Sequence, residues 1–341
     1  MSTAAKITLY LSPEDGLVAL PAGPGSDWAR TVLDLAGFEE LHEGIHALAL
    51  SDQETARRAV DTLHLTADRF GVRLDTSDHP FIGDAARHVA RGLPGTWDLE
   101  MGNLRLDESD ARGRLARAWS SPGSPLATAT GSYLREMPAA AFLSDRAGRE
   151  LVLADAPWNR GSIVVGAIAP HLGFLALDVH RPTSVAALTV PSALQQITRE
   201  LLPSYDRALV EGHRRMLDTV LNGIREAQAS GKRPDLLPLA VGVQEHVPYL
   251  IQHVRTAGTR QLSEQSTTAL NRAEEMLGAG IPTDEQETAR VLKGWLDHGT
   301  RIANMIDTLD PYLADPPAPA DTARGLPPAP PGPAAGPRPR R

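Results

Sequence analysis

The sequence contains no cysteine, and only 4% of its 341 residues are aromatic. The lack of cysteine excludes disulfide bridges, thiol nucleophiles, cysteine-ligated iron–sulfur clusters and thiolate zinc sites. The scarcity of aromatic side chains argues against platforms on which the bases of single-stranded nucleic acid would stack. Hydrophobic residues make up 42% of the chain, an ordinary share for a folded protein.

The sequence also lacks a signal-peptide pattern and a long unbroken apolar run. At its start, no basic segment is followed by an apolar segment and a small-residue cleavage site. The most apolar stretch, residues 162–179, is interrupted by Pro170 and His171, which predicts two buried strands joined by a turn. We therefore expect a soluble, cytoplasmic protein that does not enter a membrane.

Basic charge is scarce in the first part of the chain. Residues 1–100 carry 16 acidic and 8 basic side chains, which accounts for the whole formal net charge of −8. A protein that binds nucleic acid nonspecifically needs a basic face, because binding displaces counterions from the phosphates. Any such face must lie after residue 100.

Turn residues and hydrophobic periodicity divide the chain into four regions of an α+β protein. They predict an acidic α+β domain at 1–95 with the element order ββαβαβα and a strand-rich α+β domain at 96–190. A helical region follows at 191–313, and a disordered tail occupies 314–341. The first two regions are either separate domains or one continuous sheet domain.

The first region contains clear local signals. The pattern predicts a hairpin, a helix that ends at Gly37, a loop at 38–44 and a strand that begins at Ile45. Ser51 and Glu54 match the S-x-x-E capping box, in which the serine side chain caps the start of a helix.

The middle region is predicted to be an antiparallel meander, because its apolar runs are joined by short, turn-like connectors. The predicted strands include residues 174–179. Small residues and turn formers at 120–132 predict a loop, and residues 108–120 before it an arginine-bearing helix.

From residue 191 onward apolar residues recur at helical spacing, which predicts a helical bundle. In the last helix the spacing is that of a short coiled coil with Gly299 at one core position. The other seam positions are Leu292, Trp295, Ile302, Ile306, Leu309 and Leu313. The seam either packs within the monomer or serves a partner chain, and its short length favours internal packing.

The tail is rich in proline. Its last 27 residues contain ten prolines and end in Pro-Arg-Pro-Arg-Arg. Proline fixes φ and lacks a backbone donor, so we predict disorder with polyproline II character. The tail is either passive or a tethered docking peptide whose arginines contact an anionic surface.

One metal-binding motif is present, since His42, Glu43 and His46 match H-E-x-x-H. In a zinc hydrolase this motif lies on a helix, where both histidines share a face and the glutamate acts as general base. A helix here would have Gly44 in its interior, which is unfavourable. The predicted loop and strand would hold the imidazoles too far apart to share one metal ion. We therefore predict no metal and no other cofactor.

The most basic local patch consists of Arg105, Arg112, Arg114 and Arg117. Acidic residues are interleaved with these arginines, so the patch is either a solvated helix face or a face that contacts phosphates.

The nucleophile-elbow pattern G-x-S-x-G and the dinucleotide-binding pattern G-x-G-x-x-G are both absent from the sequence. No other catalytic motif lies on the secondary structure that its chemistry requires. Our hypothesis is a noncatalytic interaction or assembly protein that binds a protein partner, or itself, through residues 191–313 and the tail. The first alternative is an accessory nucleic-acid-binding protein that uses the arginine patch. A zinc-dependent hydrolase built on His42, Glu43 and His46 is a disfavoured second alternative.

Overall fold

The computed structural model describes residues 5–106, 109–159, 161–230, 236–258, 262–282 and 284–309. The chain divides into two compact units, Met1–Arg215 and Met216–Arg341. Both β-sheets belong to the first unit, and the described part of the second is helical. The protein is therefore of the α+β class, as predicted. The predicted tail at 314–341 lies outside the described residues.

The first sheet is built from five strands: β1 (Lys6–Ser12), β2 (Gly16–Ala22), β3 (Glu39–His42), β4 (Ile45–Leu48) and β5 (Arg73–Thr76). Their order is β3-β4-β2-β1-β5, and only β1 and β5 pair in parallel. Helices α1 (Ser26–Leu35) and α2 (Gln53–Phe70) share one apolar core with this sheet. The core buries Ile7, Leu33 and Leu63 completely.

The local signals of this part are mostly confirmed. Gly37 follows the first helix with a φ of 81°, which suits glycine. The predicted loop at 38–44 is wrong, because part of it pairs with β4 as strand β3 and the element order gains a strand. The cap predicted at Ser51 is also wrong. Asp52 caps α2 instead, and its side chain accepts from the backbone N–H of Glu54 at 3.1 Å.

The second sheet is built from six strands: β6 (Trp97–Asn103), β7 (Ala118–Trp119), β8 (Ala139–Asp145), β9 (Glu150–Asp155), β10 (Ile163–Ile168) and β11 (Val185–Ala187). The order is β11-β10-β9-β8-β6, with β7 beside β10, and every pair is antiparallel, as the predicted meander requires. Helix α3 (Ile82–Gly92) packs against β6, β8 and β9. Helices α4 (Asp110–Leu115) and α5 (Pro125–Ser132) share a second core with the sheet.

Three local predictions for this region differ from the structure. The helix predicted at 108–120 is shorter, because α4 ends at Leu115 and Ala118–Trp119 form strand β7. Residues 120–132, predicted as a loop, contain α5, in which Pro125 stands in the first turn, where a missing N–H costs nothing. Residues 174–179, predicted as a strand, overlap the short helix α6 (Leu172–Leu175). The fully buried ring of Phe174 shows that this apolar run fills the core without forming a strand.

Helices dominate from Val190 onward, as predicted. Helix α7 (Val190–Gln196) leads through a π-helical turn at residues 197–201 into α8 (Leu202–Ser230). The turn precedes Pro203, which lacks the N–H that regular helical bonding needs. The remaining helices are α9 (Leu237–Gly258), α10 (Glu264–Gly278) and α11 (Glu285–Leu309). None of the helices in the described ranges has both the length and the hydrophobicity of a membrane-spanning segment.

A buried asparagine joins the two sheets of the first unit. Asn103, the last residue of β6, is 0% exposed. Its Nδ2 donates to the carbonyls of Pro21 in β2, at 2.7 Å, and Gly44 in the β3–β4 turn, at 3.0 Å. Its Oδ1 accepts from the backbone N–H of Arg105 at 2.9 Å, and its own N–H donates to the carbonyl of Glu43 at 3.2 Å. One residue thus satisfies polar backbone groups of both sheets where water has no access.

We expect Asn103→Leu to lower the free energy of unfolding by about 2–4 kcal/mol, because each buried polar group left without a partner costs roughly 1–3 kcal/mol. Urea denaturation followed by tryptophan fluorescence measures the change. Asn304→Leu, at an exposed position of α11, is the control and should change stability by less than about 0.5 kcal/mol. An Asn103→Leu variant as stable as the wild type would show that the sheets do not depend on this side chain.

Candidate functional site

The H-E-x-x-H sequence lies on a β-hairpin and not on a helix. His42 ends β3, Glu43 and Gly44 form the turn, and His46 lies on β4. Gly44 has a φ of 63°, and a Cβ at this position would lie 2.3 Å from the side chain of Leu106. The turn therefore requires glycine both for its conformation and for the space it leaves.

The two histidines of the motif have different surroundings. His42 is half-buried, and the charged groups near it belong to α3, β6 and the β1–β2 turn. His46 is 2% exposed, and its charged neighbours belong to α1 and β3. Within the described ranges, no three metal-ligating side chains that include either histidine bring their ligand atoms within 4.8 Å of one another. The zinc-hydrolase alternative gains no support from this arrangement.

The glutamate of the motif contacts the start of a helix. Oε1 of Glu43 accepts from the backbone N–H of Asp110 at 2.9 Å, and Oε2 accepts from the hydroxyl of Ser109 at 3.4 Å. Asp110 begins α4, whose first N–H groups have no acceptor inside the helix. Glu43 therefore ties the hairpin to α4, and this role was not apparent from the sequence because the two segments are far apart in the chain.

A cavity of about 380 Å³ lies beside the hairpin and is lined by residues of β6, β8 and α4 as well. Arg114 contributes to its wall, pairs with Glu100 and with Glu150, the latter at 2.6 Å, and lies 4.2 Å above the ring of Phe142. The lining residues include no serine, threonine or lysine that would act as a nucleophile beside His42. Among these lining residues Arg114 and Glu100 form an ion pair, and none forms a nucleophile–base pair.

The four arginines of the basic patch are engaged in internal contacts. Arg105 and Arg112 donate to backbone carbonyls at 3.3 and 2.6 Å. Arg114 and Arg117 both pair with Glu150, at 2.6 and 3.1 Å. All four residues are half-buried. Arginines held in this way are poorly available to phosphates, so the nucleic-acid alternative gains no support from the patch.

The seam predicted on α11 lies inside the helical unit. Helix α11 packs against α9 and α10. At Gly299 a Cβ would lie 2.9 Å from the side chain of Leu221 in α8, so glycine permits the close approach of these two helices. Leu309 is half-buried, and Leu313 lies outside the described residues. The other four seam residues are at most 2% exposed: Leu292, Trp295, Ile302 and Ile306. The chain's own helices therefore cover this seam.

An open cleft of about 1010 Å³ lies between the N-terminal half of α10 and the C-terminal half of α11. Hydroxyl and amide side chains make up much of its lining, together with two arginines and one histidine. These polar residues include Ser263, Gln265, Ser266, Thr268 and Asn304. Sequence reasoning missed the cleft because it depends on how two separate helices pack. We refer to it below as the α10–α11 cleft.

The pKa of His298 reflects the charges around the α10–α11 cleft. Burial lowers the pKa of this imidazole, and the nearby charges of Arg301 and Arg272 lower it further, while Asp297 acts in the opposite direction. The two arginines therefore disfavour a cation at the position of His298, whereas burial, the larger cause, disfavours a charge of either sign.

Another shifted group lies in the first unit. Burial raises the pKa of Asp155 to about 6, and the charge of His79 opposes this shift. Burial, followed by the charge of Asp155, also raises the pKa of Tyr10, which is 5% exposed. Desolvation alone accounts for the main part of both shifts, so they require no catalytic explanation.

Comparison with known proteins finds no protein-family model, no curated protein and no solved structure that matches this chain. The geometry and charge of the sites described above therefore have to carry any proposal about function.

The burial of the His46 imidazole in the hairpin can be tested through the pH dependence of stability. Both of its ring nitrogens are buried without a hydrogen-bond partner among the described residues, and burial lowers its pKa. The unfolded chain therefore takes up a proton at His46 more readily, and stability falls as the pH drops below about 6.5. We expect His46→Leu to lose less stability than the wild type between about pH 8 and pH 5 in urea denaturation.

Thr8→Val is the matched control for this measurement. The Thr8 hydroxyl is also buried without a partner in the described chain, but it does not titrate. Its replacement should change stability equally at every pH. A His46→Leu variant with the pH dependence of the wild type would contradict the assignment.

Proposed function

We propose that this chain is a noncatalytic interaction or assembly protein that binds a protein partner, or a second copy of itself, through its helical region and the proline-rich segment at 314–341. The observation that carries the proposal is the α10–α11 cleft of about 1010 Å³. It extends to Leu309, the last residue described before that segment.

Three residues of the cleft are of types that are enriched at protein interfaces: Arg272, Arg301 and Met305. Its serines, its glutamate and its alanine are of types that are depleted there, so the arginines and the methionine are the part of the lining that supports binding. Because α9 and α10 pack against the seam of α11, association would use the cleft and not that seam. A cytoplasmic location, expected from the sequence, is part of this proposal.

The nucleic-acid alternative remains a prediction that rests on sequence alone. The contacts of its four arginines favour a role within the first unit over contact with phosphates. We therefore place protein binding ahead of it.

Filling the cleft tests the proposal. Thr268 lines the cleft at an exposed position of α10, and Thr267 is also exposed on the same helix but does not line it. We expect Thr268→Trp to reduce recovery of partners at least tenfold, equivalent to about 1.4 kcal/mol, because the indole occupies the partner's place. Affinity purification of the full chain from its native host, with quantitative mass spectrometry, measures recovery.

Thr267→Trp is the matched control and should recover partners as the wild type does. Equal recovery by Thr268→Trp and Thr267→Trp would contradict the proposal that partners bind in the cleft.

A further inference from the structure

Two arginines give the α10–α11 cleft its charge. Arg301 is exposed and has no ion-pair partner among the residues that the structure describes. The side chain of Arg272 is 63% exposed and pairs with Glu275 at 2.7 Å. An exposed pair of this kind contributes only about 0–1 kcal/mol. An incoming carboxylate can therefore replace Glu275 at little cost and can bind Arg301 without displacing any group.

The lining of the cleft has a formal net charge of +1 with histidine neutral, because it holds two arginines and one acidic residue, Glu264. Two further carboxylates lie beside the lining: Glu275, which pairs with Arg272, and Asp297. Both arginines also lie close enough to His298 to lower its pKa, although burial is the larger cause and Asp297 opposes the shift. Charge complementarity thus selects an anionic partner.

The uncharged lining suits a peptide. The amides of Gln265 and Asn304 each offer a donor and an acceptor, as a peptide backbone does. Met305 and Leu309 add apolar surface for a side chain. No phenylalanine, tyrosine or tryptophan is among the lining residues, so the bases of a nucleic acid would find no stacking surface.

We infer that the α10–α11 cleft binds an acidic peptide segment of a partner protein, with Arg272 and Arg301 paired to its carboxylates. The inference rests on the proposed function and names the class of partner. An apolar side chain of the segment contacts Met305 and Leu309. The arginines supply orientation as well as attraction, because a guanidinium binds a carboxylate through two parallel hydrogen bonds.

Binding of such a segment is linked to the protonation of His298. Carboxylates in the cleft oppose the charges of Arg272 and Arg301 that lower the pKa of this imidazole, so the bound state takes up a proton more readily. Binding therefore strengthens as the pH falls through the range in which His298 titrates. Asp297 opposes the effect of the two arginines on His298, and Glu264 is the acidic residue of the lining.

The test uses the full chain and fluorescein-labelled poly-L-glutamate, with binding followed by fluorescence anisotropy at low ionic strength. We expect saturable binding that the double variant Arg272→Gln, Arg301→Gln weakens at least tenfold. The matched control is the double variant Arg255→Gln, Arg290→Gln, which removes the same charge from α9 and α11 outside the cleft. The control should bind as the wild type does, within about twofold.

Nuclear magnetic resonance provides a second readout at the site itself. In a pH titration of the ring protons of His298, saturating poly-L-glutamate should raise the pKa of this imidazole. No saturable binding, equal weakening by both double variants, or an unchanged His298 titration would each overturn the inference.

The variants distinguish a failure of this inference from a failure of the proposed function. If Thr268→Trp abolishes partner recovery while the Arg272→Gln, Arg301→Gln variant retains it, the cleft binds a partner that is not an acidic segment. If Thr268→Trp and Thr267→Trp recover the same partners, the proposed function itself fails.

Discussion

The side-chain amide of Asn103 is the contact on which the first unit depends. Asn103 is the last residue of β6 in the second sheet. Its side-chain amide donates to carbonyls of β2 and of the β3–β4 turn, which both belong to the first sheet. Leaving a buried carbonyl without a donor costs more than an ordinary hydrogen bond contributes, so this contact fixes where the sheets meet. It also holds the hairpin turn close to α4, where Glu43 bonds to the first N–H of that helix.

The same constraint accounts for the H-E-x-x-H sequence without metal chemistry. Gly44 is needed for its positive φ and for the space beside Leu106, and Glu43 contacts α4. On a helix, residues four positions apart share a face, which brings two imidazoles together. On this hairpin His42 and His46 have different neighbours, so the same spacing does not bring their side chains together. A motif carries its chemistry only on the secondary structure that the chemistry requires.

Sequence reasoning succeeded where local chemistry decides the structure, as at Gly37 and along the helical periodicity of α9 to α11. It failed where tertiary packing decides. Strand β3 consists of half-buried and exposed residues, and it forms because it pairs with β4. Phe174 packs in the core although it lies on a short helix and not on the predicted strand. The α10–α11 cleft could not be predicted from the sequence, because its lining comes from two helices and no local sequence pattern specifies how they pack.

The central claim is that this chain acts through the α10–α11 cleft and not through the H-E-x-x-H hairpin. The most direct measurement places a photo-cross-linking amino acid at Asn304, in the cleft, or at Glu100, in the cavity beside the hairpin, in the full chain in its native host. The account predicts a covalent partner adduct from position 304 and none from position 100. An adduct from position 100 alone would contradict it.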